Sequence, residues 1–297
     1  MEPVCIVPAG DICGEAVTWD SATARLYWVD INRFLLHCHD PATGATRTHM
    51  FDEPVVALSL TDQPAHLLVA LGSGLILFDP DNGVRQDLPA KLAGWPDQRL
   101  NDGRSDPRGT FWVGSMANNV ATDGTPTPVR DGEGTLYRYR AGGEMTVMET
   151  GIGISNTLCW SPDQRHFYFG DTLKNEIRIY PYDSNNGDIG AGTPFFASFE
   201  RGLPDGSAID SAGYLWNCRF GGSCIVRVAP NGEIDRVIEM PVTNITTCTF
   251  GGPDLTTLYV TTAAAEIMER LAGSLFAINV ETPGMPEQVF RLDGKAL

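Results

Sequence analysis

Apolar residues along this chain come in short runs and not in stripes. Arg25–Asp30 (RLYWVD), Leu67–Leu71 (LLVAL), Thr110–Gly114 (TFWVG), His166–Gly170 (HFYFG), Tyr214–Cys218 (YLWNC) and Thr257–Thr261 (TLYVT) are rich in aromatic and β-branched residues. Turns of Gly, Pro, Asp and Asn bound each run, which is the pattern of short strands. Almost nothing repeats at the 3.6-residue spacing of a helix. Two exceptions stand out: Gly124-Thr125-Pro126-Thr127-Pro128 reads as an excursion loop, and Ala263 to Ala272 as a short helical one.

The runs belong to a larger repeat. A unit opens with an apolar strand, continues through a turn and an aromatic strand, and closes with a strand ending in Asp-Pro-x-x-Gly. Trp19 to Gly44 is one copy, closed by Asp40-Pro41-Ala42-Thr43-Gly44, and Leu58 to Gly83 is the second. Later copies open at Asn101, Ser155, Asp205 and near Asn244, with turns at Asp106-Pro107-Arg108-Gly109, Ser161-Pro162-Asp163, Asp210-Ser211-Ala212-Gly213 and Gly252-Pro253-Asp254. Six units over 297 residues average about 50 residues each, the period of β-propeller blades and not of helical solenoids. A β-sandwich has as many strands but no turn chemistry recurring at a fixed period. The expected fold is all-β: one six-bladed propeller over residues 1–297, with four-stranded antiparallel blades around a central channel.

Composition narrows the partners. Glycine (32) and proline (20) together exceed the ordinary share of about 12%, as frequent turns require. The 37 acidic residues outnumber 21 basic ones, for a formal net charge of −16. That balance argues against nucleic acid and anionic membrane surfaces, which need clustered Lys and Arg. No apolar run approaches the roughly 20 residues of a bilayer span, and Met1-Glu2-Pro3-Val4 does not read as a signal peptide, so a cytoplasmic location is expected. Seven cysteines without a CxxC pair fit reduced, hydrophobe-like thiols.

The informative polar residues lie at the heads of the innermost strands. Aligning the units places Glu15, Asn101, Asn156 and Asp205 there, each among small or apolar neighbours. Two carboxylates and two amides converging on a narrow channel are costly unless a charge compensates them. An all-oxygen set suits a hard divalent ion such as Ca²⁺, Mg²⁺ or Mn²⁺. Taken singly, Asn101-Asp102-Gly103 and Asp205-Gly206 also read as plain turns. Arg99 shares a strand side with Asn101 if that stretch is extended. There it either holds an anionic or polyhydroxylated substrate or neutralises surplus acid.

These motifs resemble the senescence marker protein (regucalcin)/gluconolactonase family. The resemblance rests on Gly14-Glu15, on Arg99-Leu100-Asn101-Asp102-Gly103 with Asp106-Pro107-Arg108-Gly109, on Phe111-Trp112-Val113-Gly114-Ser115-Met116, and on Ile154-Ser155-Asn156 with Trp160-Ser161-Pro162-Asp163. It continues through Pro204-Asp205-Gly206, Leu215-Trp216 and Phe250-Gly251-Gly252-Pro253-Asp254, from about residue 10 to about 280. It implies a six-bladed propeller with one divalent metal (calcium, zinc, manganese or iron among members) on Glu15, Asn156 and Asp205. It places Arg99 and Asn101 on the substrate, and the typical activity is hydrolysis of sugar-acid lactones. The chain departs from many relatives at Ala16-Val17, where they carry Gly-Pro, and at Asn118-Asn119, where some carry an acid.

The expected chemistry follows. Three protein ligands leave open positions for a carbonyl oxygen and a water, Asp205 accepts the proton, and Arg99 and Asn101 hold hydroxyls and the developing oxyanion. Residues 116–133 would shape the mouth as a lid. No GxSxG, HExxH or P-loop is present. His37 and His39 share a strand face, so they are either a two-histidine metal pair or surface imidazoles on an outer strand. Two rival functions remain: a phosphotriesterase-like calcium hydrolase, similar in architecture to diisopropyl fluorophosphatase, and a non-catalytic propeller that binds a partner on its top face.

Overall fold

Each predicted repeat becomes one four-stranded antiparallel sheet, and six of them stand around a common axis in the computed structural model, which describes residues 1–265 and 267–292. Blades one to five run in chain order over residues 14–50, 55–91, 98–152, 155–197 and 203–239. Blade six takes three strands from 244–279 and its outermost from the N-terminus, where Val4–Val7 pairs antiparallel with Leu275–Asn279. The first strand of every blade is innermost, and these six strands pack on one another in a closed ring. The fold is therefore the six-bladed propeller expected. The borrowed strand that closes it has no sequence signal, because its partner lies about 270 residues away.

The repeated turns have a shared physical basis. The Asp40 and Asp79 carboxylates accept the backbone N–H two residues on, at 2.8 Å, and Gly44 and Gly83 finish each turn at φ 72° and 77°. The inner turns work differently. Asp106 accepts from the Thr110 backbone at 2.8 Å and from Trp112 Nε1 at 3.0 Å, and Asp210 accepts from the Tyr214 backbone and Trp216 Nε1, each at 3.0 Å. An acid followed six residues later by Trp thus ties the first turn of a blade to its second strand. Those indoles are fully buried. Phe111, Phe167, Phe250 and Phe276 fill the space between sheets, each contributing about 1.5–3 kcal/mol over exposure.

Two expectations are corrected. The described part of Ala263 to Ala272 holds extended chain and turns instead of a helix (Glu266 lies outside the described residues). Asn101-Asp102-Gly103 and Asp205-Gly206 are not turns between strands; they lie inside the inner strands Gln98–Ser105 and Leu203–Ile209.

Among the described residues no helix is long and apolar enough to cross a membrane. The chain after blade six crosses the propeller end opposite the strand heads. Met285 N–H donates to Ile209 O, Phe290 N–H to Leu60 O, and Arg291 N–H to Gly109 O. Phe290 is fully buried against Tyr139, so this strap links blades five, two and three.

Candidate metal and substrate site

All six inner strands break register once near their heads, and these β-bulges aim the polar side chains at the axis. The irregularities fall between Glu15 and Thr18, Val55 and Ala57, Leu100 and Gly103, Asn156 and Cys159, Pro204 and Ser207, and Ile245 and Cys248. A bulge interrupts the in-out alternation of a strand and redirects one side chain. Glu15 and Asn156 are the last paired residues before their bulges, while Asn101 and Asp205 are the first residues within theirs. The four positions are thus not strictly equivalent in register. Ala16 and Thr157, just after two of them, sit at φ 55°, a left-handed conformation that non-glycine residues seldom adopt.

Glu15, Arg99, Asn101, Asn156 and Asp205 are all buried, and bonds between blades bring them together. Asn101 Nδ2 donates to Ser155 O at 2.9 Å, and Thr157 Oγ1 donates to Asp205 O at 2.5 Å. Asn156 Nδ2 donates to Thr172 Oγ1 at 2.9 Å, and that hydroxyl donates to Pro204 O at 2.8 Å. Thr172 therefore fixes the flip of the Asn156 amide. Its Oδ1 is left buried and without a hydrogen-bond partner.

The electrostatics are those of crowded acids. Burial and then the neighbouring Asp102 charge push the Glu15 carboxyl up to about 8. Asp205 is pushed well above the ordinary carboxylate range by burial, then by Glu15 and Asp102. Two facing carboxyls and an orphaned amide oxygen fit a hard divalent cation, which would satisfy all three at once. Among the described residues no three His, Cys, Asp or Glu side chains gather as metal ligands, so such a site depends on Asn156 as its third donor.

Arg99 is gripped by uncharged groups. Its Nε and Nη2 donate to Asn119 Oδ1 at 3.0 and 2.8 Å, and its Nη1 to Asn101 Oδ1 at 2.6 Å and Leu100 O at 3.0 Å. Burial lowers this guanidinium to about 10. Asn119 belongs to the excursion after the strand Phe111–Ala117. That segment is pinned by Asn32 Nδ2 to Gly124 O at 2.7 Å and by Gln98 Nε2 to Glu133 O at 2.9 Å.

Three contributors escaped the sequence reading: Asp102, Thr172, and Asn119 as the partner of Arg99. Asp102 had a signal, since it adjoins Asn101 in an acid-glycine pair like Asp205-Gly206. His37 and His39 are not surface imidazoles. Both are buried, their Nδ1 atoms lie 2.9 Å from Thr48 and Thr46 hydroxyls, and both rings pack on Trp28.

Fold and site together define a six-bladed propeller with an acid-and-amide cluster on its axis. The chain belongs to the SMP-30/gluconolactonase/LRE-like family, whose pattern matches residues 13–264. It is 35% identical over 292 residues to a pentonolactonase of Haloferax volcanii, covering 94% of each chain. It is 34% identical over 294 residues to a 6-deoxy-6-sulfogluconolactonase of Pseudomonas putida, covering 96% of this chain and 97% of the relative. Among solved structures it is similar to a calcium-binding regucalcin of Agrobacterium tumefaciens, with TM-score 0.89, 30% identity and 97% of each chain covered.

Proposed function

We propose that this protein hydrolyses sugar-acid lactones with the help of one divalent metal ion held by Glu15, Asn156 and Asp205. The single observation that carries the metal is the buried Asn156 Oδ1, held without a partner beside two crowded carboxyls. The lactone reading rests on family membership and on named relatives that are lactonases. An ion in that set would supply Lewis acidity, drawing charge from the lactone carbonyl and lowering the pKa of water. Asp205 takes the proton of the attacking water. Asn101 and Arg99 orient sugar hydroxyls and support negative charge developing on the carbonyl oxygen. The pinned 116–133 segment bounds the mouth and limits water around the ring.

Exhaustive chelation should abolish opening of an aldonolactone, followed by pH indicator against the spontaneous rate, and adding back a divalent ion should restore it. Full activity after chelation would exclude the metal. A lactone panel run beside an organophosphate separates lactonase from phosphotriesterase. A non-catalytic propeller would tolerate Glu15→Ala and Asn156→Ala with partner binding intact.

Thr172 offers a finer test. Thr172→Val keeps the shape but removes the hydroxyl that orients Asn156, and is expected to weaken divalent-ion affinity by about 10–100-fold. Thr172→Ser should restore most of it. Calorimetric titration with the ion alone reads both, and an unchanged Kd in Thr172→Val would show that the amide needs no such support.

A further inference from the structure

Resting on that reading, we infer that Arg219 sets the spacing between Asn156 and Asp205 and so determines which divalent ion the axial site prefers. It is a positioning residue: it hydrogen-bonds to neither of them and acts through the amides of Asn217 and Asn175. Arg219 lies on the second strand of blade five, Leu215–Phe220, where it pairs with Pro204 at the head of the Asp205 strand. It is only 1% exposed.

One arm of the guanidinium holds Asp205. Nε donates to Arg201 O at 3.1 Å and Nη2 to Gly202 O at 2.6 Å, the two carbonyls that lead into the strand Leu203–Ile209. Nη1 donates to Asn217 Oδ1 at 3.1 Å, which fixes the flip of that amide. The fully buried Asn217 then donates from Nδ2 to Asp205 O at 3.2 Å and to the Thr157 hydroxyl, next to Asn156, at 3.3 Å. The other arm reaches blade four, where Nη2 also donates to Asn175 Oδ1 at 2.7 Å. Asn175 closes the turn that begins at Thr172, its backbone N–H donating to Thr172 O at 3.0 Å. Thr172 is the residue whose hydroxyl orients the Asn156 amide.

Stapling the loop before Leu203 would need only the loop's own carbonyls. The two side-chain amides carry the guanidinium further, to the elements that bear Asn156 and Asp205 on either side of the seam between blades four and five. A planar fork of N–H donors spans such a set in one fixed geometry, which the single ammonium of a lysine does not. Burial lowers this guanidinium to about 10, and the neutral oxygens around it offset that cost. The consequence for the ion is one of size. Ca²⁺ takes oxygens at about 2.3–2.6 Å in flexible geometry, whereas Mg²⁺ demands about 2.0–2.1 Å. Oxygens held at one spacing discriminate between such ions, and a loosened set discriminates less.

The test is calorimetric titration of the chelator-stripped protein with Ca²⁺, Mg²⁺ and Mn²⁺, one ion at a time. Wild-type dissociation constants should spread over about tenfold or more between the tightest and the weakest ion. Arg219→Lys keeps the charge and loses the fork. It is expected to weaken the tightest ion by about 10–100-fold and to narrow the spread at least about threefold. Arg219→Met should do the same. Asn175→Gly tolerates the backbone φ of 47° at that position and cuts only the arm to blade four. It should narrow the spread as well, and it serves where the Arg219 variants fail to fold. A merely structural role would weaken all three ions alike and leave the spread unchanged, and that result overturns the inference. A wild-type spread below about threefold overturns it too, since the site then does not select by size. Wild-type behaviour of Arg219→Lys beside a narrowed spread in Arg219→Met would assign the effect to charge, and overturns the spacing role. Binding of none of the three ions by the wild type overturns the hard-ion reading and this inference together.

Discussion

Replacing Asp205 with alanine is expected to lower lactone turnover by about a thousandfold or more while making the ion-free protein more stable. The first half follows from two jobs on one side chain. In the proposed mechanism Asp205 would supply one of two anionic oxygens to the ion and accept the proton of the nucleophile, so its loss would remove both together. Asp205→Asn keeps the volume and a neutral oxygen, and should recover ion binding better than turnover. The second half follows from the crowding at the axis. A carboxyl raised to about 8, as Glu15 is, binds its proton more tightly folded than unfolded. Its contribution is full below the unfolded carboxylate pKa and is lost as pH rises through about 8. Above neutrality the ion-free fold therefore bears the cost of both charges, and removing Asp205 relieves it. Thermal melts in chelator at pH 6 and pH 9 should show a larger gain for Asp205→Ala at the higher pH. A variant that loses activity and also melts earlier at pH 9 would mark Asp205 as a structural acid. Sites built for catalysis commonly carry such a stability cost.

Much of this site is legible in the amino-acid sequence, because burial and turn chemistry are local. The unit openings read at Ser155 and near Asn244 coincide with the inner strands Ser155–Trp160 and Asn244–Gly251, and those read at Asn101 and Asp205 fall two or three residues inside theirs. The outermost strands are a different case. Ala45–Met50 is largely exposed, and the mixed sequence ATRTHM has no apolar alternation to reveal it. Edge strands of this kind are held by pairing on one side alone, and polar residues there guard against further pairing. The bulges are equally hidden. Period-two reasoning would put Asp205 and Asp102 on faces set by strict alternation, whereas a register break near each strand head resets that alternation. Thr172 and Asn119 act through contacts spanning 16 and 20 residues, and nothing local distinguishes either one from any other polar residue. Arg99 shows the reverse case: its position is readable, but its hydrogen bonds to Asn119 and Asn101 in place of a direct ion pair are a property of the folded pocket.

The second large effect belongs to the acid in the turn just past the other end of the same strand. Asp210→Ala is expected to cost about 3–5 kcal/mol of folding stability, because it strands a buried cation. Arg227 Nε and Nη2 both donate to Asp210 Oδ2, at 3.0 and 2.6 Å, and the two side chains are 8% and 0% exposed. The same carboxylate accepts from Trp216 Nε1 and from the backbone of Ala212 and Tyr214, so alanine also leaves donors of the blade-five turn unpaired. Arg227 retains Asp235 at 2.8 Å and the face of Tyr214 at 3.7 Å, which keeps the loss within that range. If the stranded charge is the main term, Arg227→Met in the Asp210→Ala background should recover part of the loss, and the two effects should be strongly non-additive. Urea unfolding of the four proteins completes the cycle. Additive losses would assign the cost to the turn and the indole. Because Asp210 lies five residues beyond Asp205, about 16 Å along an extended strand, the folded fraction of Asp210→Ala should keep its turnover per active site, unlike Asp205→Ala.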